Sequence, residues 1–379
     1  MLLTIFISNK NKEILPTFEE LLQNPFLTIE QNTTELQIKK KTIEITEDYG
    51  LNLFNRRIEN NPYQMLLNSI PYTEIPTEEI PNHYRRYTIP KKTNPNKKRI
   101  IEEPDEYLRV IQDFHKTMIA DNLKIQVHDA AFAYVKNRDI LKSTKRHQEN
   151  QSKWFLKLDL KDFFPSINEK FLRNQLDMVY PFKFLPKIFM DNLIKYALLN
   201  DSLPQGTTIS PLLSNLVMVP IDYEITNLLM NYNKHHYVYT RYADDIEVSC
   251  KEKFNPRDIT NELNQIFRKY EAPFEINTEK TTFGNSAGSN YHLGLNLNKN
   301  NTISKGYEKN NKFRVMLYQF AKNPAAYDYN ELNRIAGIIA HFKYIEPEFV
   351  RKSIAKYNTK CNINIEQEIK RRLSCPVLD

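Results

Sequence analysis

The sequence predicts an α+β protein with an antiparallel sheet, and three observations support that prediction. Residues 154 to 160 alternate in polarity as a strand does. Two β-rich runs, at 237 to 242 and 246 to 250, lie on either side of the adjacent acids Asp244 and Asp245. Between and after these strands, apolar residues recur at helical spacing. Strands and helices therefore share one chain, and the acids stand at strand ends.

The first part of the chain divides into a small region and a basic hairpin. Residues 1–80 are rich in Asn, Glu and Thr and end near the proline-punctuated TEIPTEEIPNH, which predicts a small N-terminal region and a linker. The stretch from 85 to 110 is basic and contains turn residues, so it predicts a β-hairpin. We expect a helix from Leu108 to Asn122 after it.

Asp159 is predicted to end a strand just before a helix. Ser166 and Glu169 have the spacing of a capping box, and apolar residues then recur at helical spacing. Further on, Ser210 and Pro211 can serve as the N-cap and first residue of another helix. Strand ends that precede helices often carry catalytic groups.

The acidic pair is predicted to form the tip of a hairpin. Asp244, Asp245 and Asp159 all lie at ends of strands that could be neighbours in one antiparallel sheet. Three convergent carboxylates would bind hard cations, and a pair of Mg²⁺ ions stabilises the attacking and leaving oxygens of phosphoryl transfer. The alternative is an exposed turn without a ligand.

Composition limits the class of protein. The 379 residues, 41% of them hydrophobic, suffice for two or three domains with real cores. A net charge of +7 favours polyanionic partners. Cys250, Cys361 and Cys375 are odd in number and lack CxxC spacing, which fits a reducing compartment and argues against zinc. No run is apolar enough to cross a membrane, so we expect a cytoplasmic protein.

Five segments resemble, in order, the palm motifs of reverse transcriptases: FLKLDLKDFFPSI, LPQGTTISPLLSN, YTRYADDIEVS, INTEKTTF and YHLGL. The resemblance covers roughly residues 85 to 360. It implies the right-hand polymerase architecture, with fingers and palm at 81–290 and a primer-grip turn and helical thumb at 291–379. It also implies an RNA template, dNTP substrates and a DNA product.

The resemblance assigns the metal site. Asp159, Asp244 and the backbone of Leu160 would hold two Mg²⁺ ions, for which Mn²⁺ can substitute, and Asp245 would complete the acidic cluster. Lys280 matches a lysine near the leaving pyrophosphate, where an ammonium can donate a proton. An exposed lysine at a helix end is the alternative.

The resemblance also assigns the nucleotide site. Lys98 and Arg99 match the basic finger tip that grips the triphosphate, for which the planar fork of arginine is suited. Gln205 and Gly206 match the segment that lines the incoming nucleotide. Phe164 matches the aromatic beneath the ribose that excludes a 2′-hydroxyl. The alternatives are that KKTNPNKKR is a solvated hairpin with no ligand and that Phe163 and Phe164 are both plain core.

Nucleic-acid contacts are implied at two further places. The segment His292, Leu293 and Gly294 resembles the turn that positions the primer end. Asp328 and Glu331 form a second predicted capping box, which opens the first of two basic helices of the thumb. The thumb residues expected to track the duplex through its phosphates are Lys343, Arg351, Lys352 and Lys356.

The subfamily that the chain resembles is the stand-alone bacterial group near the retrons. AFAYVKNRDILKSTKRH is similar to retron reverse transcriptases, but Ser143-Thr144 replaces their Asn-Ala, and His292-Leu293-Gly294 replaces their Val-Thr-Gly. A dedicated noncoding RNA, a role in antiphage defence and an effector protein or homo-oligomer are the implied partners and role. Two alternatives stay open: an untemplated or protein-primed DNA polymerase, and a non-catalytic RNA-binding scaffold.

Overall fold

The computed structural model describes residues 75–374, apart from 92–93, 124, 186, 233–235 and 288–290. Most of the predicted N-terminal region and Cys375 therefore lie outside the described residues. The described chain forms two compact units, one from residues 75–126 and 172–209 and the other from 127–171 and 210–374. The predicted domain boundary at 290 stays a prediction, since the second unit contains residues on both sides of it.

The strands are, in chain order, β1 Tyr84–Lys91, β2 Asn94–Pro104, β3 Trp154–Asp159, β4 Val238–Tyr242, β5 Asp245–Cys250, β6 Thr282–Asn285, β7 Tyr291–His292, β8 Leu295–Leu297 and β9 Ile303–Ser304. The helices are α1 Glu106–Thr117, α2 Ile140–Glu149, α3 Phe163–Ser166, α4 Glu169–Asp177, α5 Lys187–Ala197, α6 Ser210–Leu216, α7 Val219–Asn231, α8 Pro256–Lys269, α9 Tyr307–Lys322, α10 Tyr329–Ile345, α11 Pro347–Cys361 and α12 Ile365–Ser374.

The first unit contains the predicted hairpin. Strands β1 and β2 pair antiparallel, and α1 follows directly. The helix begins two residues before the predicted Leu108, because the Asp105 carboxylate accepts a hydrogen bond from the Leu108 backbone N–H at 2.9 Å and so caps the first turn. Leu108 and Ile111 of α1 pack with Tyr196 of α5 in the core of this unit.

The second unit is built on a four-stranded sheet in the order β4-β5-β3-β6. All three pairings are antiparallel, and the register sets Asp159 opposite Asp245. Strand β3 is thus central although it precedes its neighbours in the sequence. Side chains on both of its faces are buried: Phe155 and Asp159 on one face, and Leu156 and Leu158 on the other.

The capping box predicted at Ser166 and Glu169 is wrong. Residues Phe163–Ser166 form a helical turn of their own, in which the Ser166 hydroxyl donates to the Phe163 carbonyl at 2.9 Å. Asn168 takes the capping role instead, because its side-chain oxygen accepts from the Phe171 N–H at 2.9 Å. The second predicted capping box, Asp328 with Glu331, is confirmed.

Helices α9 to α12 have an apolar core of their own. Phe313, Leu317 and Phe320 of α9 pack with apolar residues of the next three helices, Leu332, Ile335, Ile339, Phe342, Val350, Ile354, Tyr357, Ile365 and Ile369. The apolar residues of the predicted thumb helices are therefore core packing. Over the part of the chain that is described, no helix is long and apolar enough to span a membrane.

Candidate active site

Three aspartates converge at one end of the four-stranded sheet. Asp159 ends β3, Asp245 begins β5 opposite it, and Asp244 lies in the two-residue turn between β4 and β5. We call Asp159 and Asp245 the carboxylate row. The Leu160 N–H donates to the Asp244 carbonyl at 3.0 Å, which ties the hairpin tip to the end of β3. The predicted position of the acids at a hairpin tip is confirmed.

Lys280 lies among these carboxylates. Its Nζ is 2.5 Å from Asp159 Oδ1, and the Asn277 amide donates to Asp159 Oδ2 at 3.1 Å. Although partial burial opposes it, the hydrogen bond to Asp159 and the charges of the three aspartates raise the pKa of Lys280 above its usual value. The ammonium is thus held protonated. Asn277 was missed from the sequence, although it belongs to the same NTEK segment.

Asp245 is the aspartate of this cluster whose negative charge is disfavoured by its surroundings. Burial first, and then the charges of Asp244 and Asp159, raise the pKa of Asp245 to about 6. Like charges held together in this way favour a bound cation. Oxygen donors are the ligands that Mg²⁺ prefers, so the donor set fits a hard divalent ion.

Side chains of the described residues are not already arranged as a three-ligand metal site. Lys280 and Asn277 use both oxygens of Asp159. Leu160 forms an isolated β-bridge with Ile276, but its carbonyl does not take part in the hydrogen bonds of that bridge. Those bonds go to the carbonyls of Asp159 and Glu275. A metal ion at Asp159 would therefore compete with the hydrogen bonds from Lys280 and Asn277 for the carboxylate oxygens.

A buried ion pair supports the hairpin tip and was missed from the sequence. Arg241 of β4 and Asp222 of α7 are fully buried, with two N–O contacts of 3.0 and 2.7 Å. Arg241 also donates to the Ala243 carbonyl at 3.3 Å, in the turn that holds Asp244. Ala243 itself has a φ of 57°, in the left-handed region. The sequence signal for this ion pair was Arg241 itself, a charged residue within the strand run TRYADD.

Phe164 and Phe163 differ in their surroundings. Phe163 is buried and packs against Phe274, which fits the core role. Phe164 is half-buried, and its ring meets the exposed Tyr134 edge-on at 6.3 Å between centroids. Phe164 is therefore only partly buried, and its role in excluding a 2′-hydroxyl stays a prediction.

The predicted nucleotide contacts in the first unit do not share one face. Lys98 and Arg99 are both exposed on β2, but neighbours in a strand point to opposite faces. Gly206 has a φ of 129°, and a Cβ there would lie 2.8 Å from Ile101 Cγ2. Gln205 accepts from the Glu102 N–H at 2.7 Å. Because Ile101 shares its face with Arg99, Gly206 lies on the Arg99 side of the ribbon.

The predicted primer-grip turn joins β7 and β8. Leu293 and Gly294 have φ values of 48° and 88°, as the turn of a two-residue hairpin needs. His292 is buried, and its Nε2 is 2.9 Å from the Ser143 hydroxyl of α2. Ser143 and His292, two of the departures from the retron pattern, thus contact each other. Contacts with a primer stay a prediction and would fall to Leu293 and Gly294.

The thumb cations differ in their partners. Lys343 lies 3.4 Å from Glu366, and Arg351 pairs with Glu348 at 2.7 Å. Lys352 and Lys356 are exposed on α11, one helical turn apart. These two lysines are therefore the better placed for phosphate contacts, which stay a prediction.

An antiparallel sheet that gathers acidic oxygens at one end, beside a lysine, defines the class of nucleotide-polymerising palm domains. Residues 89–315 match the family described as "Reverse transcriptase (RNA-dependent DNA polymerase)". The chain belongs to that family and is an RNA-directed DNA polymerase. The predicted α+β polymerase fold and the resemblance to bacterial reverse transcriptases are confirmed.

Curated relatives include several retron enzymes. The chain is 31% identical to the retron Ec83 reverse transcriptase of Escherichia coli over 308 residues, which cover 78% of this chain and 90% of that one. It is 31% identical to the retron Ec73 enzyme of the same organism, over 71% and 87% of the two chains. The retron Mx65 enzyme of Myxococcus xanthus is 27% identical, over 72% and 64%.

Similar solved structures include telomerases. Apo telomerase from Candida tropicalis has a TM-score of 0.45 and 11% identity, over 85% of this chain and 64% of that one. A form of the same enzyme truncated from its C-terminal domain has a TM-score of 0.42 and 13% identity, over 59% and 55%. The chain thus spans less than two thirds of each telomerase chain.

Proposed function

We propose that the chain polymerises DNA by two-metal catalysis at Asp159, Asp244 and Asp245, with the Leu160 carbonyl as a further ligand. The observation that carries the proposal is the convergence of these acids around one ammonium, that of Lys280. Bound Mg²⁺ ions would neutralise charge on the attacking and leaving oxygens of phosphoryl transfer. Mn²⁺ has the same ligand preference and would substitute.

The chain's own groups have distinct tasks in this proposal. Lys280 is held protonated by the acids, so it can donate to the leaving pyrophosphate once it releases Asp159. The buried ion pair of Arg241 with Asp222 holds the hairpin tip through the Ala243 carbonyl. Asp244 is therefore already in place before the reaction begins. Phe164 would exclude the 2′-hydroxyl of a ribonucleotide.

Asp244→Asn tests the metal proposal. The substitution keeps the shape but removes a charged ligand, so nucleotide addition should fall by several orders of magnitude while RNA binding and the unfolding midpoint stay near those of the wild type. Asp177→Asn, at an exposed position in α4, is the matched control and should retain full activity. Wild-type rates in Asp244→Asn would refute the assignment.

We further propose that the template is one dedicated noncoding RNA and that the activity serves antiphage defence, with an effector protein or a second copy of the chain as partner. Retron enzymes among the relatives support this proposal. Sequencing the nucleic acid that copurifies from cells tests it. A single RNA with matching cDNA supports the proposal, whereas DNA covalently attached to a tyrosine would select protein priming instead.

A further inference from the structure

The residues directly behind the carboxylate row are polar, although they are buried. The sheet register aligns Thr240, Glu247 and Lys157 across β4, β5 and β3, two residues from the carboxylate row and on the same face. Two residues of strand span about 7 Å. Thr240 and Glu247 are 0% and 2% exposed. A polar row so close to the reacting groups needs partners from another element.

Two histidines supply those partners. His147 of α2 is fully buried, with Nε2 2.8 Å from the Thr240 hydroxyl and Nδ1 2.6 Å from the Ser249 hydroxyl. His292 of β7 sets its Nδ1 against Glu247 Oε2 and its Nε2 2.9 Å from the Ser143 hydroxyl. The two rings are 5.6 Å apart. They join α2 and the β7–β8 hairpin to the catalytic sheet.

Burial disfavours a positive charge on either ring. Desolvation lowers the pKa of His147 to about 3 and holds the pKa of His292 well below its usual value. A neutral imidazole has one donor and one acceptor nitrogen, so Nδ1 of His292 carries the proton toward Glu247 and Nε2 accepts from Ser143. Within the described residues, neither oxygen of Glu247 makes a hydrogen bond of normal geometry. Its carboxylate instead makes the close contact with His292.

We infer that Glu247 is a positioning residue for the primer end. His292 directly precedes the Leu293–Gly294 turn, so its contact with Glu247 fixes that turn relative to the carboxylate row. Methionine in place of Glu247 would fill the space but impose no direction on the hairpin, whereas a polar contact does. The inference rests on the proposed primer-grip role of this turn.

The test compares two substitutions of Glu247 in the full chain. Glu247→Met keeps the length of the side chain and removes the acceptor, while Glu247→Gln keeps an acceptor for Nδ1. In Glu247→Met, kcat per folded molecule at saturating dNTP and template–primer should fall on the order of 10²-fold, the loss expected for a misplaced reacting group. The Kd for template–primer should stay within about threefold, because binding rests on phosphate contacts elsewhere. Glu247→Gln should recover most of the activity.

A readout without chemistry completes the design. A primer with 2-aminopurine at its 3′ end should change its fluorescence in the complex with Glu247→Met and not with Glu247→Gln. Glu252→Gln, an exposed glutamate five residues along the chain, is the control and should match the wild type in every measurement. A wild-type chain that extends no primer would refute the proposed function, whereas the fluorescence comparison, which needs no nucleotide addition, would still test the positioning role.

Defined results would overturn the inference. Wild-type kcat and primer-end fluorescence in a folded Glu247→Met variant would show that the contact serves the core alone. Equal losses in the Gln and Met variants would show that the effect does not depend on the acceptor for His292, and would also overturn the inference. If Glu247→Met does not fold, Ser143→Ala decides, because it removes only the outer hydrogen bond of His292. We expect Ser143→Ala to lower kcat less than Glu247→Met and to change the fluorescence of the primer end. If neither kcat nor the fluorescence changes, the inference is overturned.

Discussion

Replacing Asp245 with asparagine should make the metal-free protein more stable. The side chain is partly buried between Asp244 and Asp159. Its raised pKa shows that this position destabilises the ionised carboxylate. Asparagine has nearly the same shape and no charge, so the repulsion disappears while the packing stays. The same substitution removes part of the acidic cluster, so polymerase activity should fall.

The magnitude follows from the pKa. A shift from 3.8 to about 6 corresponds to roughly 3 kcal/mol at 1.36 kcal/mol per unit. Asp245 is only partly shielded from water, so we expect about 2 kcal/mol after solvent screening. Because the pKa in the folded state lies above that in the unfolded state, the penalty is absent below about pH 4, grows between about pH 4 and 6, and is complete above that window.

Urea unfolding in the presence of a chelator measures this difference. The free energy of unfolding of Asp245→Asn should exceed that of the wild type at pH 7.5, and the two should converge near pH 4. Added Mg²⁺ should stabilise the wild type more than the variant, since a bound ligand adds to folded-state stability. Asp177→Asn should track the wild type at every pH. An Asp245→Asn variant no more stable than the wild type, or a gain independent of pH, would refute the reasoning.

Three further outcomes are expected. Phe164→Val should lower the discrimination of dNTP over rNTP, measured as a ratio of kcat/KM values, more than it lowers dNTP incorporation; an unchanged ratio would assign Phe164 to the core. Lys352→Gln with Lys356→Gln should reduce the slope of log K against log salt for template–primer by up to about 1.8 and shorten products, and an unaltered slope would show a merely solvated face. Arg99→Gln should raise the KM for dNTP well above the effect of Lys98→Gln, because Arg99 shares its face of the ribbon with Gly206; equal effects would contradict that geometry.

Local patterns in the sequence predicted the sheet well. The polarity of residues 154 to 160 and the runs around Asp244 placed β3, β4 and β5 to within one or two residues. The hairpin tip followed from the same runs. These features depend on neighbours in the chain, where alternation and turn residues act directly.

Contacts between distant residues could not be predicted in this way. The pairing of Arg241 with Asp222 joins a strand to a helix, and the burial of His292 depends on Ser143 and Glu247. The strand run TRYADD singles out Arg241 as a charged residue within a strand, but nothing local identifies Asp222 as its partner. The displaced cap at Asn168 has a local cause instead, because Ser166 belongs to a separate helical turn and bonds back to Phe163.

The central position of β3 affects when activity can begin during synthesis. Its partners β5 and β6 leave the ribosome only after residues 245 and 282, so Asp159 exists for a long time on the nascent chain without the opposite half of its site. Pairing over such sequence distances is slow, and until it occurs β3 has unpaired edges. A growing chain therefore cannot polymerise nucleotides before nearly the whole sheet has emerged, and until then the unpaired edges of β3 favour aggregation.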